Sequence, residues 1–119
     1  MFEKMMECKK SWKLFCEWIF ENYQIDINAY YNVFYLINAY EDASVEINKN
    51  IILSIMPIFF DEHEINEYVD QDINGIYYKM FYGQIGYYDS SNDDIYFSDR
   101  TEALQAACIK AFELLEETL

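Results

Sequence analysis

The segment of this chain best suited to chemistry is Asp70-Gln71-Asp72-Ile73-Asn74-Gly75. Alternate oxygen-bearing side chains can face one point there, and a glycine in sixth place permits the sharp turn, as in the first half of a calcium-binding loop. The second half departs from that pattern. The twelfth position is Phe81, where a bidentate glutamate completes the coordination shell. The expected structure is an acidic turn leading into a strand, with no metal and no other cofactor implied. A second cluster is Asp61-Glu62-His63-Glu64. A carboxylate beside an imidazole can move protons. His63 is the sole histidine, however, which rules out a multi-histidine zinc site. Cys8 has Lys4, Lys9 and Lys10 near it, and cations lower a thiol's pKa when they lie close. No Gly-x-Ser-x-Gly, phosphate-cradling glycine loop or Cys-x-x-Cys occurs. Carboxylates are too abundant for any one pair to be read as a glycosidase site. These clusters read as solvated turns and core cysteines, and the chain is expected not to be an enzyme.

The elements that position these residues follow from periodicity. Trp12, Phe15, Cys16, Ile19, Phe20 and Tyr23 form one apolar stripe at helical spacing, which predicts a helix over 3–23. Asp26 is placed to cap a helix reaching Tyr40, although the same stretch is rich enough in Tyr, Val and Ile to form a strand. Ser44 is placed to cap a helix through Ile47, Ile51, Ile52 and Ile55. Pro57 should stop or kink that helix, or else start a new turn. Residues 76–82 are dense in β-formers, Gly83 and Gly86 bracket a bend, and Asp89 to Asp94 form a turn cluster. Ile95-Tyr96-Phe97 is expected to complete a hairpin, giving a small antiparallel meander. Asp99, with Glu102 three residues later, resembles a capping box that starts a final helix. Leu104, Ala107, Cys108, Ala111, Phe112 and Leu115 supply its apolar stripe. The expected fold is therefore α+β: an antiparallel meander packed with amphipathic N- and C-terminal helices and a helical middle segment. Phe15, Ile19, Leu104, Cys108 and Leu115 are the predicted core, and truncating Leu104 to Ala should cost about 2–5 kcal/mol.

A chain of 119 residues is expected to be one domain, 1–119. Its formal net charge is -14. Four lysines outweigh Glu3 and Glu7 by two charges within residues 1–13, so residues 14–119 carry -16. Such a field repels nucleic acid and anionic membranes and attracts basic surfaces. The aromatic strands could stack on bases, but they lack the cations that hold phosphates. Direct binding of nucleic acid is therefore not expected. The longest apolar run, Ile51–Phe60, is interrupted by Ser54 and Pro57 and falls short of the ~20 residues a spanning helix needs. Residues 1–13 lack the apolar region of a signal peptide. The three cysteines are accordingly read as reduced, in a cytoplasmic protein.

The hairpin aromatics, the Ser98-Asp99-Arg100-Thr101-Glu102-Ala103 stretch and the amphipathic helix after it resemble small acidic proteins encoded by bacteriophages and prophages. The resemblance covers about a quarter of the chain and implies a setting, a mobile element in a bacterial cytoplasm, without carrying over any catalytic residue. In that setting an acidic protein suits the anti-defence role, as an anti-CRISPR or anti-restriction inhibitor. Effectors of those systems hold nucleic acid in channels lined by Lys and Arg. The expected contacts are Asp61, Glu62, Glu64, Glu67, Asp70 and Asp72, with Asp89, Asp93 and Asp94 of the turn, along one edge of the sheet. Reversing the last three to Lys is expected to leave the fold intact. An immunity protein against a nuclease toxin, or a self-associating structural or accessory module such as a homodimer, are the alternatives.

Overall fold

The computed structural model describes residues 2–27 and 43–119. Among these, the chain forms helices α1 (Glu3–Met6), α2 (Lys9–Tyr23), α3 (Ala43–Glu62) and α4 (Arg100–Thr118). Three strands, β1 (Ile65–Asp72), β2 (Gly75–Tyr82) and β3 (Gly86–Asp89), make an antiparallel sheet in the order β1-β2-β3. The α+β class expected from the sequence is the class observed. The segment read as a helix from Asp26 to Tyr40 lies almost wholly outside the described residues.

Helix α4 is the central element. It touches β1 and β2 on one side and α1, α2 and α3 on the other. Ala103, Ala107, Cys108, Ala111, Phe112 and Leu115 are its buried residues. The small side chains let neighbouring backbone come close, and Phe112 fills the middle. Its ring lies 5.5 Å from Trp12, 5.7 Å from Phe15 and 4.8 Å from Phe60. Aromatic pairs of this geometry add about 0.5–1.5 kcal/mol each beyond the area they bury. Phe15, Ile19, Cys108 and Leu115 are buried as expected, but Leu104 is only half-buried. The turn of helix at Ala103 takes the inward position instead.

Four helical expectations are corrected. The N-terminal helix is not continuous over 3–23. The chain breaks at Cys8 (ψ 75°), which lets Phe2 and Met5 fold back into the core, the Phe2 ring 5.7 Å from Trp12. Phe20 and Tyr23, expected on the apolar stripe of α2, are exposed. Pro57 neither ends α3 nor begins it, because the helix runs on to Glu62. A proline inside a helix costs about 3 kcal/mol. Burial of Leu53, Met56, Phe59 and Phe60 on both sides of it, at about 1.5–3 kcal/mol per side chain, outweighs that cost. Ser44 lies inside α3, which begins at Ala43.

The meander is observed, and β2 and β3 fall where β structure was expected, but its third strand is not the expected one. The acidic stretch after Glu64 is strand β1, paired with β2 from Ile65↔Tyr82 to Asp72↔Gly75. The two-residue loop Ile73-Asn74 joins them. Asp72 Oδ1 accepts from the Asn74 N–H at 2.8 Å, and Gly75 sits at φ 140°, which a side chain would resist. Ile95-Tyr96-Phe97 is not a third strand. Asp89 accepts from Ser91 N–H and Oγ and winds the chain into a 3-10 turn, Ser90–Asp93. The buried Ser90 Oγ then takes the Tyr78 N–H at 3.1 Å in place of a ladder partner. Only Phe97 rejoins β2, through a single bridge to Ile76.

The Ser98–Ala103 stretch acts as a structural joint. Asp99 accepts from the Glu102 N–H at 2.8 Å, and Glu102 accepts from Ser98 Oγ at 2.7 Å. Arg100 reaches the Val69 carbonyl at 3.4 Å, tying the start of α4 to β1.

Candidate functional site

Strand alternation divides the sheet into two faces. The inner face, against α4, carries Ile65, Glu67 and Val69 of β1, Ile76, Tyr78, Met80 and Tyr82 of β2, and Tyr88 of β3. The outer face carries Tyr68, Asp70 and Asp72, then Tyr77, Lys79 and Phe81, then Tyr87 and Asp89. Tyr68, Phe81 and Tyr87 remain 49%, 46% and 47% exposed. They form a continuous strip, with Phe81 5.9 Å from Tyr68 and 5.0 Å from Tyr87 between ring centres. A second aromatic contact, Tyr77 against Tyr96 at 6.3 Å, lies toward the Asp72 end.

Three carboxylates share this face with one cation. Lys79 Nζ lies 3.7 Å from Asp70 Oδ2, and Lys79 is paired across the strands with Asp89. Tyr87 Oη donates to Asp89 Oδ2 at 2.9 Å, and Tyr96 Oη donates to Asp72 Oδ2 at 3.1 Å. Burial would raise the Asp89 carboxyl, but hydrogen bonds from Ser91 and Tyr87 and the Lys79 charge hold it below the ordinary value. It is thus an anion with a fixed orientation. No protein family, curated protein or solved structure matches the chain. The reading of function rests on this geometry and on the charge of the chain.

The nine acidic residues read from the sequence fall into four places. Asp70, Asp72 and Asp89 lie on the outer face. Asp93 and Asp94 follow in the exposed 3-10 turn, with Asp93 accepting from Tyr88 Oη at 3.2 Å. Asp61, Glu62 and Glu64 are exposed at the far end of β1, where Asp61 accepts from Asn66 Nδ2 at 2.9 Å. Glu67 belongs to none of these groups. It points inward between β1 and α4, its Oε1 3.6 Å from Cys108 Sγ and its Oε2 buried without a hydrogen-bond partner among the described residues. Burial pushes its pKa up to about 8, a nearby Asp61 adds to the rise, and the contact with Cys108 only partly opposes it. The carboxyl is therefore held protonated and uncharged at neutral pH, and it is not offered to a partner. Asp89 is likewise not the free turn residue expected, because it caps the 3-10 turn. Its reversal to Lys would disturb the fold.

The calcium-like segment, His63 and Cys8 lie in different parts of the fold. The calcium-like segment is a tight hairpin whose Asp72 carboxylate already holds the turn and Tyr96. Among the described residues, no three His, Cys, Asp or Glu side chains are placed to hold a metal ion. His63 is exposed, its ring 4.7 Å from Phe59. The cations near Cys8 in sequence do not activate it. Burial, then the charges of Glu113, Glu116 and Glu7, raise its pKa. Burial also pushes Cys16 up to about 11 and raises Cys108 well above an ordinary thiol. The exposed rings are what sequence reasoning missed, since it treated the aromatic strands together without dividing their two faces. In β2 the division was readable from alternation: Ile76, Tyr78 and Met80 against Tyr77, Lys79 and Phe81.

Proposed function

We propose that the chain is a non-catalytic inhibitor, encoded by a phage or other mobile element, that acts in the bacterial cytoplasm. It occupies the basic nucleic-acid channel of a defence effector of the CRISPR or restriction kind. The observation that carries this reading is the outer face of the sheet, on which Asp70 and Asp89 flank Lys79, and Asp72 lies farther along β1, beside a strip of exposed rings. A basic channel gains from such a face twice. The carboxylates replace the phosphates it is built to hold, and the rings give flat apolar area that excludes water from the contact. The overall charge of -14 speeds the encounter. Among the described residues, no helix is long and apolar enough to cross a membrane.

The test is a panel of purified CRISPR effectors and restriction enzymes, each assayed for cleavage of labelled DNA with and without the protein. At least one should be inhibited, and inhibition should weaken as salt rises. Unimpaired cleavage across the panel, with phage restriction unchanged in cells expressing the protein, would refute the reading. Protection against a nuclease toxin with no effect on any effector would place the protein in the immunity class instead. Self-association is the second reading, favoured by the exposed strip of Tyr68, Phe81 and Tyr87. The carboxylates count against it, because two such faces would bring like charges together.

A further inference from the structure

We infer that the outer face of the sheet recognises arginine in preference to lysine, and that its occupant is an arginine-bearing segment of a basic protein. The inference rests on the proposed function and deepens it by naming the partner's chemistry.

The argument begins with what the face presents. Phe81 contacts both Tyr68 and Tyr87; each ring is about half exposed, and the three lie on three neighbouring strands. Their area is too polar at its rim for an apolar partner, since Asp70, Lys79 and Asp89 lie in the adjoining cross-strand rows. Guanidinium matches both halves of such a surface. It is planar and weakly hydrated, so it stacks on a ring, and its forked donors pair with a carboxylate at the same time. An ammonium is compact and strongly hydrated, and gains mainly from the charge.

The positions of the carboxylates support this. Asp89 lies diagonally across from Phe81, because Lys79 pairs with Asp89 and Phe81 pairs with Tyr87. A cation stacked on the Phe81–Tyr87 pair is thus beside a carboxylate two residues on from Tyr87 on the same face, fixed by Tyr87 Oη and Ser91. The internal cation does not satisfy the face. Lys79 holds Asp70 at 3.7 Å, a long contact between partly exposed groups, and such surface pairs contribute little. An incoming guanidinium can displace it at small cost. A second copy of the chain would bring its own Asp70, Asp72 and Asp89 against these three.

The experiment compares the full-length protein's binding to an arginine-rich peptide and to a lysine peptide of equal length and charge, by fluorescence anisotropy at low and moderate salt. The arginine peptide should bind about tenfold tighter. Phe81→Leu keeps apolar area but removes the ring, and it should abolish that preference while leaving the lysine peptide unaffected. Tyr68→Ala is the second variant, and thermal melting checks that both fold. Asp70→Asn should weaken both peptides alike. Equal affinity for the two peptides, or a preference that survives both ring variants, overturns the inference. So does a concentration-dependent dimer of the free protein that Phe81→Leu dissolves. The two readings can fail separately. Effector inhibition that persists in Phe81→Leu leaves the proposed function standing without this face, whereas arginine selectivity without inhibition of any effector leaves the face and removes the function.

Discussion

Replacing Glu67 with Gln should stabilise the protein at neutral and alkaline pH and flatten its pH dependence. Glu67 titrates at about 8 in the fold against an ordinary 4.5, because β1 and α4 remove it from water. Between those values the folded chain holds a proton that the unfolded chain has released. Unfolding then releases a proton, so stability falls as pH rises. Each pH unit in the window costs about 1.4 kcal/mol, which makes the loss by pH 7 at most about 3 kcal/mol and the loss above pH 8 at most about 5 kcal/mol. Glutamine is nearly isosteric and carries no charge, so it escapes this loss. Its amide replaces a protonated carboxyl whose Oε2 already lacks a hydrogen-bond partner among the described residues, so the two proteins should lie within about 1 kcal/mol of each other at pH 5. The assay is urea unfolding of both proteins at steps from pH 5 to pH 8.5. The difference in stability should grow steadily in favour of Glu67→Gln across that range, while contributions from other groups cancel. A constant difference would refute the reasoning, since it would mean that the Glu67 carboxyl ionises in the fold as an exposed one does.

Other consequences of the packing can be measured in the same way. Phe112→Ala should cost about 3–5 kcal/mol by chemical denaturation, because four rings close around it, whereas Leu104→Ala should cost less than about 2 kcal/mol. Glu116 accepts from Ser11 N–H at 2.7 Å and Lys10 N–H at 3.3 Å and so caps α2 from the other end of the chain. Glu116→Gln should lower the melting temperature at neutral pH. The wild-type carboxyl is held below its ordinary value by the Ser11 N–H bond, against a smaller opposing effect of burial, so its contribution is present above pH 4.5 and is lost as pH falls through the lower value. The difference between the two proteins should therefore shrink on acidification. Calorimetric titration with calcium should give no submillimolar binding, and Asp72→Ala should change stability rather than metal affinity, because Asp72 holds the β1–β2 turn.

The closing helix and the β2 strand were legible because their apolar residues recur at a single period. Ala107, Cys108, Ala111, Phe112 and Leu115 give the helical one and Ile76, Tyr78 and Met80 the strand one. Strand β1 was hidden. Of its buried-side residues Ile65, Glu67 and Val69, the middle one is a glutamate, so no hydrophobic alternation marks it; β2 supplies its pairing and α4 its packing. The buried place of Glu67 is unreadable for the same reason, since one carboxyl among six acids from Asp61 to Asp72 carries no local sign of burial. The Ile95–Phe97 segment failed in the opposite direction. Its residues favour a strand, but the Asp89 cap and the left-handed Asp94 (φ 58°) turn the chain off the sheet edge. Of the candidate site, the acidity was legible, and Asp70, Asp72 and Asp89 of the expected acids lie on the outer face. The exposed strip of rings was not, because it spans three strands and exists only once Tyr68 is placed in β1.

The central claim is that this protein and nucleic acid compete for one basic surface. It is tested most directly by adding the protein to an inhibited effector already loaded with its nucleic acid and weighing the complexes by native mass spectrometry. The account predicts two populations, effector with nucleic acid and effector with this protein, whose balance shifts toward nucleic acid as excess nucleic acid is added. A ternary complex holding all three components, formed equally well at low and high salt, would contradict it.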